Sequence, residues 1–198
     1  MSQIAISQTP RSFTLEDYLN YEDGTERRYE LVNGTLVEMP TESPDNCRIA
    51  KLLMLELAKY IAIVLINLKD LEIVVSGRQA KVRLPDLAVL DEEGYAALQG
   101  QRRNIITHEM PPPVLVIEIV SPGESNRERD YRYKRTEYAA RGINEYWIVD
   151  PERQQVVLCQ WIQGQYEDTV YVGDTPLRST IVPEFSLTAD QILNLGRS

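Results

Sequence analysis

The run Val114-Leu115-Val116-Ile117-Glu118-Ile119-Val120-Ser121-Pro122 constrains this chain most, because it places a carboxylate inside what otherwise has the composition of a buried strand. A lone ionised carboxylate in a low-dielectric core is costly, so Glu118 must be protonated, paired or bound to a cation. A second acid stands in a similar setting, since Lys81-Val82-Arg83-Leu84-Pro85-Asp86-Leu87-Ala88-Val89-Leu90 carries Asp86 inside another strand-like segment. Acids on two core strands suggest a divalent cation.

Composition narrows the class. A length of 198 residues with 43% hydrophobic content fits one compact α/β or α+β domain, and residues 1–198 are read as that single domain. The net charge of −9 argues against tight, sequence-independent binding to nucleic acid, which needs several phosphates neutralised by Lys and Arg. A catalytic encounter with nucleic acid requires only local positive charge. Cys47 and Cys159 are far apart and lack a partner motif, so they read as reduced thiols of a cytoplasmic protein. The polar stretch 1–10 shows no secretion signal, and the apolar stretch 52–68 is short and carries Glu56 and Lys59, which favours a core helix running into a strand or loop over a membrane span.

Local signals place the elements. Thr14 followed by Glu16 and Asp17 starts a short helix, and Asn33-Gly34 between apolar runs predicts a hairpin over 29–39. Ser43-Pro44 caps a second helix with apolar positions at Ile49, Leu52, Leu53, Leu57 and Tyr60. Strands are expected over 71–76, 82–90 and 114–120, with the charged connector before Pro111-Pro112-Pro113 as an exposed loop. A third helix over 126–141 stops at Gly142, a strand follows at 145–149, and a meander leads to a last helix capped at Thr188.

The order Tyr29-Glu30-Leu31, Leu84-Pro85-Asp86, Val116-Ile117-Glu118-Ile119-Val120-Ser121-Pro122, Arg129-Asp130-Tyr131 with Lys134 and Tyr138, Gly142-Ile143 and Glu145-Tyr146-Trp147-Ile148-Val149-Asp150-Pro151 resembles the Uma family of restriction-endonuclease-like proteins. The likeness runs over about 13–195 and implies membership of the PD-(D/E)xK nuclease superfamily. It therefore implies a restriction endonuclease-like core, a mixed central β-sheet flanked by helices in the α/β (α+β) class.

Phosphodiester hydrolysis needs an activated water and neutralisation of charge building on the phosphate, and Mg²⁺ or Mn²⁺ held by two carboxylates contributes to both. Asp86 and Glu118 fit that role, and the superfamily motif implies the Ile119 carbonyl as a further oxygen ligand. Where Glu-x-Lys would put a lysine, this chain has Val120; the family pattern implies Lys134 as the displaced cation, with Asp130 an i,i+4 neighbour. Glu30 is a third catalytic candidate, Asn46 a candidate lining residue, and Arg129, Arg132, Arg135 and Arg141 make the same helix locally basic. The residues alone leave structural alternatives open: Glu118 paired with an arginine, Lys134 as a solvated surface lysine, Tyr131, Tyr138, Tyr146 and Trp147 as core aromatics instead of base-stacking platforms. The expected function is a Mg²⁺-dependent endonuclease acting on DNA, away from membranes, as a possible homodimer. The other readings are a catalytically silent relative that binds nucleic acid or protein, and a structural or oligomerisation module.

Overall fold

A computed structural model describes residues 12–25, 27–39, 41–77 and 80–194. The polar start at 1–10 and the far limit of the expected core at Leu195 lie outside the described residues.

The locally signalled elements form where the sequence sets them, except that the second helix stops at Leu57, short of Tyr60, which is exposed. Thr14 caps α1 (Leu15–Leu19) through a reciprocal bond with Asp17. Strands β1 (Tyr29–Val32) and β2 (Thr35–Glu38) turn at Asn33 and Gly34, whose φ angles of 50° and 71° are the left-handed pair that a two-residue hairpin demands. Ser43 caps α2 (Pro44–Leu57) by accepting from the Asn46 amide. A 3₁₀ turn then leads into β3 (Ile66–Leu68), so the apolar stretch 52–68 is the end of a core helix followed by a strand. Among the described residues no helix is long and apolar enough to cross a membrane.

Two expectations need correction. The segment 82–90 is not one strand: β4 (Glu72–Val74) and β5 (Ala80–Arg83) belong to one sheet, whereas β6 (Leu87–Val89) belongs to another. Pro85 offers no N–H to a ladder, so the chain turns a corner at Leu84-Pro85-Asp86. The connector before the prolines is not a plain exposed loop either, since it holds α3 (Glu92–Leu98) and β7 (Ile105–Ile106), which pairs parallel with β4. Asp91 caps α3 by accepting from the Gly94 amide at 2.7 Å, with Glu92 and Glu93 favourably placed in the first turn.

After β8 (Leu115–Ile119), the third helix starts at Glu124 and is interrupted. It runs as α4 (Glu124–Glu128), a π-helical segment over Arg129–Lys134, and α5 (Arg135–Arg141), and ends at Gly142 with φ 78°. Strands β9 (Glu145–Asp150), β10 (Gln155–Ile162) and β11 (Gln165–Val172) form the meander, and Thr188 with Gln191 caps α6 (Ala189–Asn194).

The larger sheet has the order β11-β10-β9-β8-β6-β3 and is antiparallel except for β8 and β9; the smaller has the order β2-β1-β5-β4-β7. Strand alternation gives the larger sheet two apolar faces. Leu87, Leu115, Ile117, Trp147 and Val149 pack against Ile49, Leu53 and Leu57 of α2 and Ile192 of α6. Ala88, Val116, Tyr146 and Ile148 pack against Ile73, Ala80 and Ile106 of the smaller sheet and Tyr138 of α5. The architecture is the expected mixed α+β arrangement of a mixed sheet flanked by helices, with the smaller sheet as an addition.

Glu145 fastens the C-terminal segment to this core. Fully buried, it accepts from Trp147 Nε1 at 2.9 Å, Ser179 Oγ at 2.8 Å, Thr180 Oγ1 at 2.6 Å and the Ile181 amide at 3.3 Å. Glu145→Ala leaves the buried donors of Trp147 and Ser179 unmatched and is expected to lower the unfolding free energy by about 3 kcal/mol, measured by urea denaturation.

Candidate active site

The pairing of β6 with β8 sets Leu87 opposite Ile117 and Ala88 opposite Val116. One step further along that register, Asp86 stands opposite Glu118. Residues directly opposite in an antiparallel pair point to the same face, so the corner at Pro85 delivers Asp86 beside Glu118. The corner is held because Asp86 Oδ2 accepts from the Ile119 amide at 2.7 Å.

Glu118 is 3% exposed, and its Oε1 meets the Lys134 ammonium at 2.8 Å and the Tyr138 hydroxyl at 2.8 Å. Among the described residues no hydrogen bond reaches its second oxygen, Oε2. Lys134 is buried rather than solvated, and lies 3.5 Å from Asp130 Oδ1, which is in turn held by Arg129 Nε at 2.9 Å. Val120, where a strand lysine would stand, is buried among apolar side chains. The cation on Glu118 thus arrives from the π-helical segment instead of the strand, and it is a lysine, not the arginine of the structural alternative.

Burial pushes the Glu118 carboxyl up, to about 8; Lys134 opposes the shift, and the negative charges of Asp86 and Asp130 add to it. Burial pulls the Lys134 ammonium down, but Glu118, Asp130 and Glu30 outweigh it and hold the group above the ordinary lysine range. Lys134 is therefore a charged donor at neutral pH.

Glu30 reaches this region from β1, yet both its oxygens are engaged. Oε2 accepts from Arg83 Nη1 at 2.7 Å and Oε1 from the Leu84 amide at 3.2 Å. The opposite edge of Arg83 is bound by Glu137 through Nε at 2.7 Å and Nη2 at 3.3 Å. Burial raises the Glu30 carboxyl, but the positive charges of Lys134 and Arg83 prevail and hold it below its usual range. Glu30 thus pins the backbone immediately before Pro85 and Asp86. Asn46 donates to the Ile119 carbonyl at 3.2 Å and to Ser121 Oγ at 3.4 Å, so it braces the end of β8.

The helix that the sequence marks as locally basic is largely neutralised. Arg129 pairs with Asp130, Arg132 with Glu128 at 3.0 Å, Arg135 with Asp168 at 2.8 Å, and Arg141 donates to the carbonyls of Thr107 and Met110. Tyr138, Tyr146 and Trp147 are buried core residues, and the Tyr131 hydroxyl bonds to Asp150 at 3.1 Å. Three charged residues beside the site escaped the sequence reading: Arg83, Glu137 and Lys69, whose ammonium lies 3.1 Å from Asp86 Oδ1. For Arg83 a signal existed, because a cation inside an apolar strand must find a buried acid.

The oxygens of Asp86, Glu118 and the Ile119 carbonyl are donors of the kind a hard divalent cation takes, and such an ion keeps several waters and needs few protein ligands. The carbonyl has a lone pair beyond the one Asn46 uses. Among the described residues no three His, Cys, Asp or Glu side chains gather as a metal cage, so the fit rests on this smaller oxygen set.

No curated protein matches the chain. A crystal structure from Anabaena variabilis ATCC 29413, described as "a putative nuclease belonging to DUF820", is similar to it with a TM-score of 0.70, covering 92% of this chain and 98% of the other at 18% identity. At that identity the likeness establishes the fold. The Uma2 family model, described as "Putative restriction endonuclease", matches residues 15–190, and the chain accordingly belongs to the Uma2 family.

Proposed function

We propose that this chain is a divalent-metal-dependent endonuclease that hydrolyses phosphodiester bonds in DNA. The observation that carries this reading is the contact of Lys134 Nζ with Glu118 Oε1 at 2.8 Å, on the sheet face that Asp86 shares. It restores from a helix the cation that Val120 denies the strand. Asp86, Glu118 and the Ile119 carbonyl would hold Mg²⁺ or Mn²⁺, which when bound supplies a water acidic enough to attack and neutralises phosphate charge.

The remaining chemistry belongs to the chain. Lys134, kept protonated by its three carboxylate neighbours, acts as a donor that orients the attacking water or a phosphate oxygen, not as the base. Tyr138 and Lys134 together fix Glu118 through Oε1, which leaves Oε2 without a hydrogen-bond partner among the described residues and so available as a ligand. Glu30 acts on the reaction through position: with Arg83 it fixes the Leu84 backbone, and with it the corner that presents Asp86. Residues 1–198 work as one restriction endonuclease-like domain in this reading. Cutting both strands of a duplex calls for two such sites, which a two-fold homodimer provides. The free thiols Cys47 and Cys159 accord with a cytoplasmic setting.

The direct test is cleavage of DNA and RNA substrates with Mg²⁺ or Mn²⁺, beside Asp86→Ala; wild-type protein that cuts neither in any metal overturns the proposal. Asp86→Asn is expected to abolish Mn²⁺ binding in calorimetry while leaving the circular dichroism spectrum intact, because it removes a ligand and relieves repulsion with Glu118. Lys134→Met should lower turnover by about 10²-fold with little change in metal affinity.

The raised Glu118 carboxyl also sets a pH dependence in metal-free protein. The folded state binds this proton more tightly than the unfolded chain does, so the contribution is complete below the ordinary value of 4.5 and is lost as pH rises through about 8. Glu118→Gln keeps the neutral form at every pH. Its melting temperature should therefore fall less than that of the wild type between about pH 5 and 8; parallel melting curves would contradict the assignment.

A further inference from the structure

Lys69 extends the row of Glu118 and Asp86 by one strand. In the pairing of β3 with β6, Asn67 faces Ala88 and Leu68 faces Leu87, so Lys69 comes beside Asp86, and its amide donates to the Asp86 carbonyl at 3.1 Å. Its φ of 59° puts a non-glycine residue in the left-handed region, which turns the chain out of β3 at this point. The ammonium ends 3.1 Å from Asp86 Oδ1 and 3.4 Å from Glu42 Oε2. It is shielded from water, and neither contact has the angles of a hydrogen bond. Glu42 Oε2 is likewise shielded and without a hydrogen bond. The group is thus shared by two acids and locked to neither.

We propose that Lys69 is a built-in counter-ion that occupies the position on Asp86 which a divalent cation must take, and that Glu42 receives the ammonium when it yields. This rests on the metal reading above. Asp86 Oδ2 already accepts from the Ile119 amide, which makes Oδ1, the oxygen beside the Lys69 ammonium, the less engaged of the two for a metal. An ammonium and a divalent ion on one carboxylate oxygen repel each other within a few ångströms, so one displaces the other. A lysine suits the exchange because its charge is a compact group on a flexible stem. Room exists beside it, in a cavity of about 120 Å³ bordered by Met39, Glu42, Leu84 and Asp86. Until the metal arrives, Lys69 supplies a positive partner to Asp86, as Lys134 does to Glu118. Lys69 and Glu42 are positioning residues in this scheme: they set how much metal is needed before the site fills.

The test is Mn²⁺ binding to the purified full chain, by calorimetry, for the wild type, Lys69→Asn, Glu42→Gln and the double variant. Asparagine tolerates the left-handed conformation and so spares the turn; Lys69→Gln serves as the replicate if Lys69→Asn does not fold. Lys69→Asn is expected to bind Mn²⁺ about tenfold more tightly, and Glu42→Gln about threefold more weakly, because the ammonium then has nowhere to withdraw. The double variant should match Lys69→Asn alone, since Glu42 acts only through Lys69. Effects that simply add would show that Glu42 works by its own charge and would overturn the exchange. Equal affinity in wild type and Lys69→Asn overturns the counter-ion role and leaves the metal site standing. No binding in any of the four removes both.

Discussion

The fold around the site depends on charge compensation in a dry place. Where the two sheets meet the interrupted helix, buried groups alternate in sign: Lys134 between Asp130 and Glu118, and Arg83 between Glu30 and Glu137. Water cannot screen these groups, so removing one partner strands another at a cost of about 3–5 kcal/mol. An apolar core of the same volume would hold the sheet and helix together at least as well. The charges are better understood as fixing positions, because each demands a specific neighbour at a specific distance. That demand explains how a strand end, a proline corner and a helix separated along the chain meet at Glu118.

What was legible in the sequence was either local or anomalous. The hairpin at Asn33-Gly34, the cap at Ser43 and the stop at Gly142 are local chemistry, set within a few residues, and they stand where expected. Asp86 and Glu118 were visible because acids interrupt apolar runs, whereas Lys134 was singled out by the family resemblance, its i,i+4 spacing from Asp130 being equally that of a surface pair. The partners of Glu30 and Glu137 were not visible. Arg83 meets Glu137 across 54 residues and Glu30 across 53, and nothing in a single sequence pairs such positions. The division of 82–90 between two sheets has the same origin. Pro85 signals a break, but only tertiary pairing decides that the chain leaves one sheet for another.

The neutralised helix changes where attraction for a polyanion comes from. Arg129, Arg132 and Arg135 spend their charge on Asp130, Glu128 and Asp168, in a chain whose net charge is −9. Long-range steering toward a phosphate backbone is weak under those conditions, and recognition falls to the short range, at the site itself. A cation bound there would reverse the local sign in a way that the resting side chains do not.

The π-helical segment at Arg129–Lys134 carries a consequence for how the helix is phased. Upstream, Arg127 reaches Asp150 at the end of β9; downstream, Tyr138 reaches Glu118 near the end of β8. A uniform α-helix advances about 100° per residue, and a π turn absorbs one residue more than an α turn does. The wide turn therefore acts as a phase shifter, letting the two ends of one rod mesh with different strands at once. Its winding is fixed as strictly as a gear's tooth count: if Arg129–Lys134 wound as regular α-helix with all six residues kept, one end would rotate by about a quarter turn, so that either the Asp150 anchor or the Glu118 contact would face the wrong way.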